Sequence, residues 1–228
     1  MELNNELMQS ATISLTVQII MGLVGLHGIF IKLTEKDKIL TDIMILETTV
    51  QFIELCFYIW LVNQLSKLKF EVTYIRYFDW FLSTPMMLIS TVFFMKYLNS
   101  KAFNNIVTIY SILDTKWFEV LKIGISNIFM LLFGFLAEIN IISRINGFIF
   151  GTIAFLYTFY IIYSEFVENN PTNKTLFFTM FTIWSFYGIA YLFPYITKNV
   201  MYNYLDIISK NFYGFFIYYH ILKAANYI

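Results

Sequence analysis

The sequence predicts an all-α membrane protein made of seven transmembrane helices. Apolar residues make up 59% of the chain and charged residues 13%, whereas soluble domains contain about 45–50% and about 25%. Seven apolar runs of about 20 residues follow one another, and each is long enough to cross roughly 30 Å of hydrocarbon. Because the links between the runs are short, we expect residues 1–228 to form a single domain.

The predicted helices end where charged residues, proline or polar clusters interrupt the apolar runs. Their bounds are 10–31 for helix A, 43–65 for B, 74–96 for C, 117–137 for D, 145–165 for E, 174–195 for F and 198–223 for G. Helix B follows Thr41 and Asp42, which are typical residues before the first turn of a helix. Pro171 separates helix E from helix F. The polar stretch 99–117 predicts a loop or an interfacial turn.

The positions of lysine and arginine predict the orientation in the membrane. Outside the membrane interior, one side holds nine basic residues and the other holds four. Cytoplasmic loops carry the excess, so we expect the N-terminus outside and the C-terminus in the cytoplasm. The larger group is Lys32, Lys36, Lys38, Lys96, Lys101, Lys116, Lys122, Lys174 and Lys223, and the smaller is Lys67, Lys69, Arg144 and Lys198.

Composition also limits the chemistry. The formal net charge of +0 gives no reason to expect nucleic-acid binding. The single cysteine, Cys56, excludes an intrachain disulfide and a cysteine-based zinc site. With His27 and His220 as the two histidines, we expect no metal centre. We also expect no enzymatic activity.

Ionisable residues lie inside two predicted helices. Asp206 and Lys210 on helix G are four positions apart, and Arg76 and Asp79 on helix C are three apart, so each pair shares a helix face. A charge at the bilayer centre costs roughly 2.5–3.5 kcal/mol, so such residues are usually paired and functional. Ser83 continues the polar face of helix C. The alternative is a structural ion pair between packed helices.

Helix F carries an aromatic stripe. Trp184, Tyr187 and Tyr191 recur at spacings of three and four and form one wall. Such a stripe is more often ordinary core than a cofactor site, and the whole chain is 21% aromatic. By itself, the stripe therefore does not identify a cofactor.

Together these segments resemble the microbial rhodopsins, and most of all the viral rhodopsins of giant viruses. The family signature Arg-Tyr-x-Asp-Trp-x-x-x-x-Pro occurs at 76–85, Trp-x-x-Tyr at 184–187 and Asp-x-x-x-Lys at 206–210. The resemblance covers nearly the whole chain. It implies seven helices around a central retinal, which is bound as a Schiff base to Lys210.

The resemblance also implies a role for each matched residue. Lys210 would carry all-trans retinal, Asp79 would be the primary counterion and proton acceptor, and Asp206 would be the second counterion. Arg76 and Ser83 would complete the counterion region. The residues implied to line the retinal are Tyr77, Trp80, Thr84, Met87, Phe148, Trp184, Tyr187 and Tyr191.

Two positions depart from the family pattern. Gly188 stands where the family often has proline, and Tyr191 stands where it often has tryptophan. Both departures bear on colour and on isomerisation kinetics.

Helix B carries a polar stripe that favours an ion path. Glu47, Gln51, Glu54 and Tyr58 fall at i, i+4, i+7 and i+11, on one face of an otherwise apolar helix. Two glutamates within a span are expensive unless they face water or a cation. Polar residues on helices A and G extend the stripe: Ser10, Ser14, Gln18, Asn199, Asn203 and Asn211. Hydrogen bonding that only holds the bundle together is the alternative.

Acidic stripes on helix B resemble those of channelrhodopsins. We therefore expect a light-gated cation channel in which isomerisation on Lys210 opens a polar path along helices A, B, C and G to Na⁺, K⁺ or H⁺. Glu54 would be the central gate, and Glu47 would lie one to two turns toward the cytoplasm. We expect an integral multi-pass protein of a host-cell membrane, and the sequence leaves open whether it forms a homo-oligomer.

Other functions remain as alternatives. An outward proton pump is weakened by Ser90, which stands where well-known pumps carry the donor carboxylate. A sensory rhodopsin would signal to a partner protein. A seven-helix receptor without retinal would leave Lys210 unmodified.

Overall fold

The computed structural model describes residues 2–65 and 72–228, and these are helical nearly throughout. This confirms the prediction of an all-α bundle of seven membrane helices. The helices are α1 (Glu2–Ile29), α2 (Ile39–Leu65), α3 (Thr73–Ala102), α4 (Ile109–Glu138), α5 (Arg144–Ile162), α6 (Pro171–Tyr191), α7 (Tyr195–Asp206) and α8 (Phe212–Ala224). One π-helical turn (Tyr163–Val167) extends α5, and a second (Ile207–Asn211) joins α7 to α8, so that α7 and α8 together form the predicted helix G.

The outer surface of the bundle is apolar. Five helices, α1 to α5, are each long and apolar enough to cross a membrane. Leu23, Phe52, Phe78 and Ile153 on these helices are between 59% and 65% exposed, while many polar side chains are buried. This arrangement suits a lipid surround, in which helices satisfy their own backbone groups.

Polar contacts mark the two ends of the bundle. At one end, Lys101 Nζ lies 2.9 Å from Asp37 Oδ1 and joins the α1–α2 link to the end of α3. At the other end, Lys198 of α7 lies 2.6 Å from Glu138 Oε1 at the end of α4. We call the end with Asp37 the C-terminal face and the end with Glu138 the N-terminal face. Lys67 and Lys69, which we assigned to one side from the sequence, fall outside the described residues.

Two predicted boundaries are wrong. Helix A was expected to begin near residue 10, but α1 begins at Glu2. The stretch 99–117 was expected to be a loop or an interfacial turn, but α3 continues to Ala102 and α4 begins at Ile109. Thr108 and Ser111 exchange hydrogen bonds in a capping box that starts α4. This local cap, rather than apolarity, sets the start of the helix.

Asn173 joins three elements near the C-terminal face. This fully buried side chain lies in the first turn of α6. Its Nδ2 lies 2.8 Å from Asn99 Oδ1 and 3.1 Å from the Met95 carbonyl oxygen on α3, and 3.4 Å from the Val167 carbonyl oxygen. The amide therefore links α3, the first π-helical turn and α6.

Candidate functional site

Three carboxylates from three helices surround one lysine nitrogen at the centre of the bundle. Lys210 Nζ lies 3.1 Å from Glu54 Oε1, 3.1 Å from Asp79 Oδ2 and 3.6 Å from Asp206 Oδ1. All four side chains are at most 2% exposed. The structure thus brings together the sequence-predicted residues of helices C and G, and it adds Glu54 of α2 to direct contact with the lysine.

Lys210 lies in the second π-helical turn. Such turns are rare and occur frequently at functional sites. Gln51 Nε2 donates to the Lys210 carbonyl oxygen at 3.1 Å, so a side chain from α2 satisfies a backbone group of this turn. Gln18 Nε2 of α1 donates to Glu54 Oε2 at 2.6 Å. Two amides of the predicted polar stripe are therefore bound to the lysine backbone and to the glutamate beside the lysine.

Arg76 extends the cluster toward the N-terminal face. This fully buried guanidinium lies 3.5 Å from Asp206 Oδ2 and donates to Asn199 Oδ1 at 2.9 Å and to Asn203 Oδ1. Tyr58 donates to Asp206 Oδ2 at 2.8 Å. The predicted residues of helices B, C and G thus form one hydrogen-bonded network.

Residues of α1 complete this network. Ser14 Oγ donates to the Asn203 carbonyl oxygen at 2.8 Å, and Asn203 Nδ2 donates to Ser10 Oγ at 2.8 Å. Asn211 and Ser83 differ from the other predicted polar residues. Their side chains are buried but have no hydrogen-bond partner among the residues the structure describes.

A cavity of about 300 Å³ is lined by Lys210 and by residues of α3, α4, α5 and α6. All eight residues predicted to line a retinal line this cavity: Tyr77, Trp80, Thr84, Met87, Phe148, Trp184, Tyr187 and Tyr191. The buried indole nitrogens of Trp80 and Trp184 have no hydrogen-bond partner within 2–65 and 72–228. An apolar, aromatic-walled cavity with a lysine in its wall suits a polyene bound through that lysine.

Sequence reasoning missed Tyr202, which lines this cavity, and Asn127, which binds a residue of the cavity wall. Tyr202 packs edge-on to Trp80, with ring centroids 4.9 Å apart. Its position four residues before Asp206 was a signal that could have identified it. Asn127 of α4 donates to Thr84 Oγ1 at 2.7 Å, and nothing in its local sequence distinguishes it.

Glu47 and Ser90 form a second polar contact, nearer the C-terminal face. Ser90 Oγ donates to Glu47 Oε1, and both side chains are fully buried. Ser90 stands at the position where well-known proton pumps carry the donor carboxylate. The structure places a carboxylate from α2 against that serine.

Comparisons with known proteins identify the family of the chain. A family model described as bacteriorhodopsin-like protein matches residues 9–224. The green-light absorbing proteorhodopsin of Gamma-proteobacterium EBAC31A08 is 25% identical over 171 residues, which cover 68% of this chain and 63% of that protein. The matched region thus spans less than two thirds of that relative.

Solved structures are also similar. The viral rhodopsin OLPVRII has a TM-score of 0.83 at 25% identity and covers 95% of this chain and 98% of its own. Xanthorhodopsin, described as a light-driven ion pump with dual chromophore, has a TM-score of 0.78 at 17% identity, with 98% and 94% covered, a likeness of fold. The microbial rhodopsins are integral membrane proteins that bind retinal through a lysine and act mainly as photoreceptors, ion pumps or channels. Since the family model covers nearly the whole chain, the protein belongs to this bacteriorhodopsin-like family.

Proposed function

We propose that the protein is a light-gated cation channel whose gate is built onto the retinal-binding lysine. The observation that carries this proposal is the contact between Glu54 and Lys210, 3.1 Å long and fully buried. Glu54 belongs to the polar stripe of α2, so the residue that closes the path is also a partner of the lysine. Any displacement of Lys210 Nζ therefore acts on the gate directly.

Lys210 is the attachment point for all-trans retinal, with Asp79 as proton acceptor and Asp206 as second counterion. Retinal supplies light absorption and isomerisation when it is bound there. The cavity residues exclude water and hold the polyene between aromatic walls. Asp79 Oδ2, 3.1 Å from Lys210 Nζ, is placed to accept the proton that this nitrogen carries.

The gate consists of side chains of α1, α2, α3, α7 and the second π-helical turn. In the closed state Glu54 is held by Lys210 and by Gln18 at 2.6 Å. Arg76 and Asn203 close the next level toward the N-terminal face. When Lys210 Nζ moves, Glu54 loses one partner, and water can hydrate the amides and carboxylates of the stripe. A hydrated path lined by carboxylates attracts monovalent cations.

The direction of the path follows from the positive-inside rule. The N-terminal face is extracellular and the C-terminal face is cytoplasmic, in a membrane of the host cell. Na⁺, K⁺ or H⁺ then move down their gradients through the bilayer. The bundle works as one protomer, alone or in a homo-oligomer.

A second function, outward proton pumping, is favoured by the contact between Ser90 and Glu47. A pump needs an internal acid on the cytoplasmic side that returns a proton to Lys210 Nζ. Glu47, buried and bound to Ser90, supplies such an acid from α2 in place of the missing carboxylate on α3. This contact removes the main objection that the sequence raised against a pump.

Voltage-clamped photocurrents in retinal-supplied cells separate the two functions. A channel gives a current that reverses sign with voltage and whose reversal potential shifts with the cation gradient. A pump gives an outward current at every voltage. Glu54→Gln, which keeps the shape of the side chain, should change the size or the selectivity of a channel current. An unchanged current in this variant would refute the role of Glu54 as gate.

The matched control is Glu47→Gln. It removes the other buried acid of α2 without touching the contacts of Lys210. In a channel gated at Glu54, Glu47→Gln should alter selectivity less than Glu54→Gln does.

A further inference from the structure

A second cavity lies at the N-terminal face. Its volume is about 520 Å³, and polar residues form much of its wall. Asn140, Ser143 and Arg144 at its rim are exposed, whereas Lys198 deeper in the wall is only 6% exposed. Tyr191 borders both this cavity and the one beside Lys210. The second cavity therefore reaches from the surface to the wall of the first.

A buried ion pair forms the inner part of this cavity. Lys198 Nζ lies 2.6 Å and 2.8 Å from the two carboxylate oxygens of Glu138, and the side chains are 7% and 8% exposed. Taking two such charges out of water costs several kcal/mol per ion, so a pair at this depth is weak evidence for stability alone. The pair also joins the end of α4 to the start of α7.

The cavity meets the outer end of the central network at Tyr195. Arg76 Nε donates to Asn199 Oδ1 at 2.9 Å, and Asn199 Nδ2 donates to the Tyr195 carbonyl oxygen at 2.9 Å. Tyr195 is itself part of the cavity wall. Hydrogen bonds thus link the gate region, through Asn199, to a residue of the cavity wall in the same helix.

We propose that this cavity is the outer mouth of the transport path and that Glu138 and Lys198 set the electrostatic potential that passing cations meet there. The inference rests on the transport function proposed above. With both residues present their charges cancel, so the pair itself neither concentrates nor repels cations, and Arg144 at the rim is the remaining charge of the wall. Loss of one partner leaves the other as an uncompensated charge beside the path.

Single neutralisations should change the cation current in opposite directions. A unit charge about 10 Å from the path, screened as in water, changes the local cation concentration about twofold. At low extracellular salt, Lys198→Met should raise the inward current about twofold and Glu138→Gln should lower it about twofold. The double variant should restore the parent current. In about 1 M salt the Debye length is only about 3 Å, and both effects should vanish.

The matched control is Lys116→Met, which breaks the partly exposed pair with Glu165 at the C-terminal face. It changes the net charge by the same amount as Lys198→Met but should leave the response to extracellular salt unchanged. A structural role of the buried pair predicts that both single variants reduce the current at every salt concentration. That outcome would overturn the proposal.

A cysteine at the rim tests the mouth without disturbing the ion pair. Ser143→Cys is combined with Cys56→Ser, which removes the native cysteine. Positively and negatively charged methanethiosulfonates are then applied from outside. The cationic adduct should lower the cation current and the anionic adduct should raise it. Complete labelling by mass spectrometry with no change in current would overturn the proposal.

The current of the unsubstituted protein distinguishes failure of the mouth proposal from failure of the channel proposal. A reversing parent current with no effect of label or charge overturns the mouth while the channel stands. A parent current that never reverses overturns the channel. The labelled Ser143→Cys variant then still tests the mouth, because a pumped current that passes through this cavity should differ between the cationic and the anionic adduct.

Discussion

Replacing Glu54 by glutamine tests whether the cluster at Lys210 holds one negative charge more than it can neutralise. Three carboxylates, Glu54, Asp79 and Asp206, face two cations, Lys210 and Arg76. All five are buried, so an excess charge is not screened by water. We expect one carboxyl group to be protonated in the dark state. The geometry selects Glu54, since Arg76 pairs with Asp206 and Lys210 Nζ donates to Asp79 Oδ2, whereas Glu54 Oε1 has no hydrogen-bond partner among the described residues.

The distances give the magnitude. Glu54 Oε1 lies 3.1 Å from Lys210 Nζ, an attraction of about 5 kcal/mol at an effective dielectric constant of about 20. Asp79 and Asp206 lie 3.1 Å and 3.6 Å from the same nitrogen. Each is therefore within about 7 Å of Glu54 Oε1 and would repel an ionised Glu54 by at least about 2.4 kcal/mol. The two repulsions offset the attraction, and lost hydration of several kcal/mol then favours the neutral acid.

Two measurements check this reasoning. The infrared spectrum of the dark state should contain a protonated carboxyl band, separate from that of the buried acid Glu47, that disappears in Glu54→Gln and remains in Asp79→Asn. The free energy of unfolding should fall by less than about 1 kcal/mol in Glu54→Gln, because a neutral group replaces a neutral group and can still bind Gln18. Asp206→Asn, which leaves Arg76 without its carboxylate, should cost about 3–5 kcal/mol.

Either of two results would refute the charge count. One is a dark-state spectrum whose carboxyl band is unaffected by Glu54→Gln. The other is a loss of stability in Glu54→Gln as large as that in Asp206→Asn, which would mean that the glutamate is ionised and that its charge is needed.

Three further predictions concern the half of the bundle toward the C-terminal face. If Glu47 is the internal acid, Glu47→Gln should slow recovery of the photocycle by about 10²-fold and make the recovery rate depend on bulk pH in flash photolysis. Ser90→Ala should leave the recovery rate within a few-fold of the parent rate. Equal effects of the two substitutions would contradict this role of Glu47. Asn173→Leu leaves buried acceptors unpaired and should lower the free energy of unfolding by about 1–3 kcal/mol in denaturant titration; an unchanged midpoint would contradict it. Burial opposes ionisation of Asp37, but hydrogen bonds, first from Tyr97, hold the pKa of Asp37 below its ordinary 3.8. The ionised Asp37 therefore stabilises the folded protein fully at neutral pH, and this stabilisation is lost as pH falls through the lowered pKa. The loss of stability caused by Asp37→Asn in thermal unfolding should shrink in acid. A loss that does not depend on pH would refute this prediction.

The charged centre could be predicted from the sequence because membranes penalise unpaired charges. Asp206 and Lys210 had to share a helix face, and a complementary pair on helix C was the available partner. The spacing of the polar stripe on α2 then placed Glu54 near the same depth. Helical periodicity and the cost of burial indicated the charged pairs on helices C and G, whereas the expectation that Glu54 lies near the lysine also used the resemblance to the microbial rhodopsins. The structure brings these residues within contact distance.

The pairs that join different helices at other depths could not be predicted in this way. Glu138 and Lys198 are 60 residues apart, and Thr84 and Asn127 are 43 apart. Their contacts depend on the axial register and rotation of neighbouring helices, which no local pattern specifies. The start of α4 was missed for a related reason, since the reciprocal hydrogen bonds of Thr108 and Ser111 outweigh the polarity of the segment that follows.

The difference between a channel and a pump lies in the half of the bundle that faces the C-terminal face. Toward the N-terminal face, the path below Lys210 is polar and connected, through Arg76 and Asn199. Beyond Glu47 the described interior is mainly apolar, with Met44, Phe94 and other fully buried side chains in one cluster, although the buried amides of Asn99 and Asn173 lie near this face. A proton needs only a brief chain of water through such a layer, whereas a cation needs the layer to part and stay hydrated. A channel therefore requires a larger movement of α8 against α2 and α3 than a pump does, although the same carboxylates serve both.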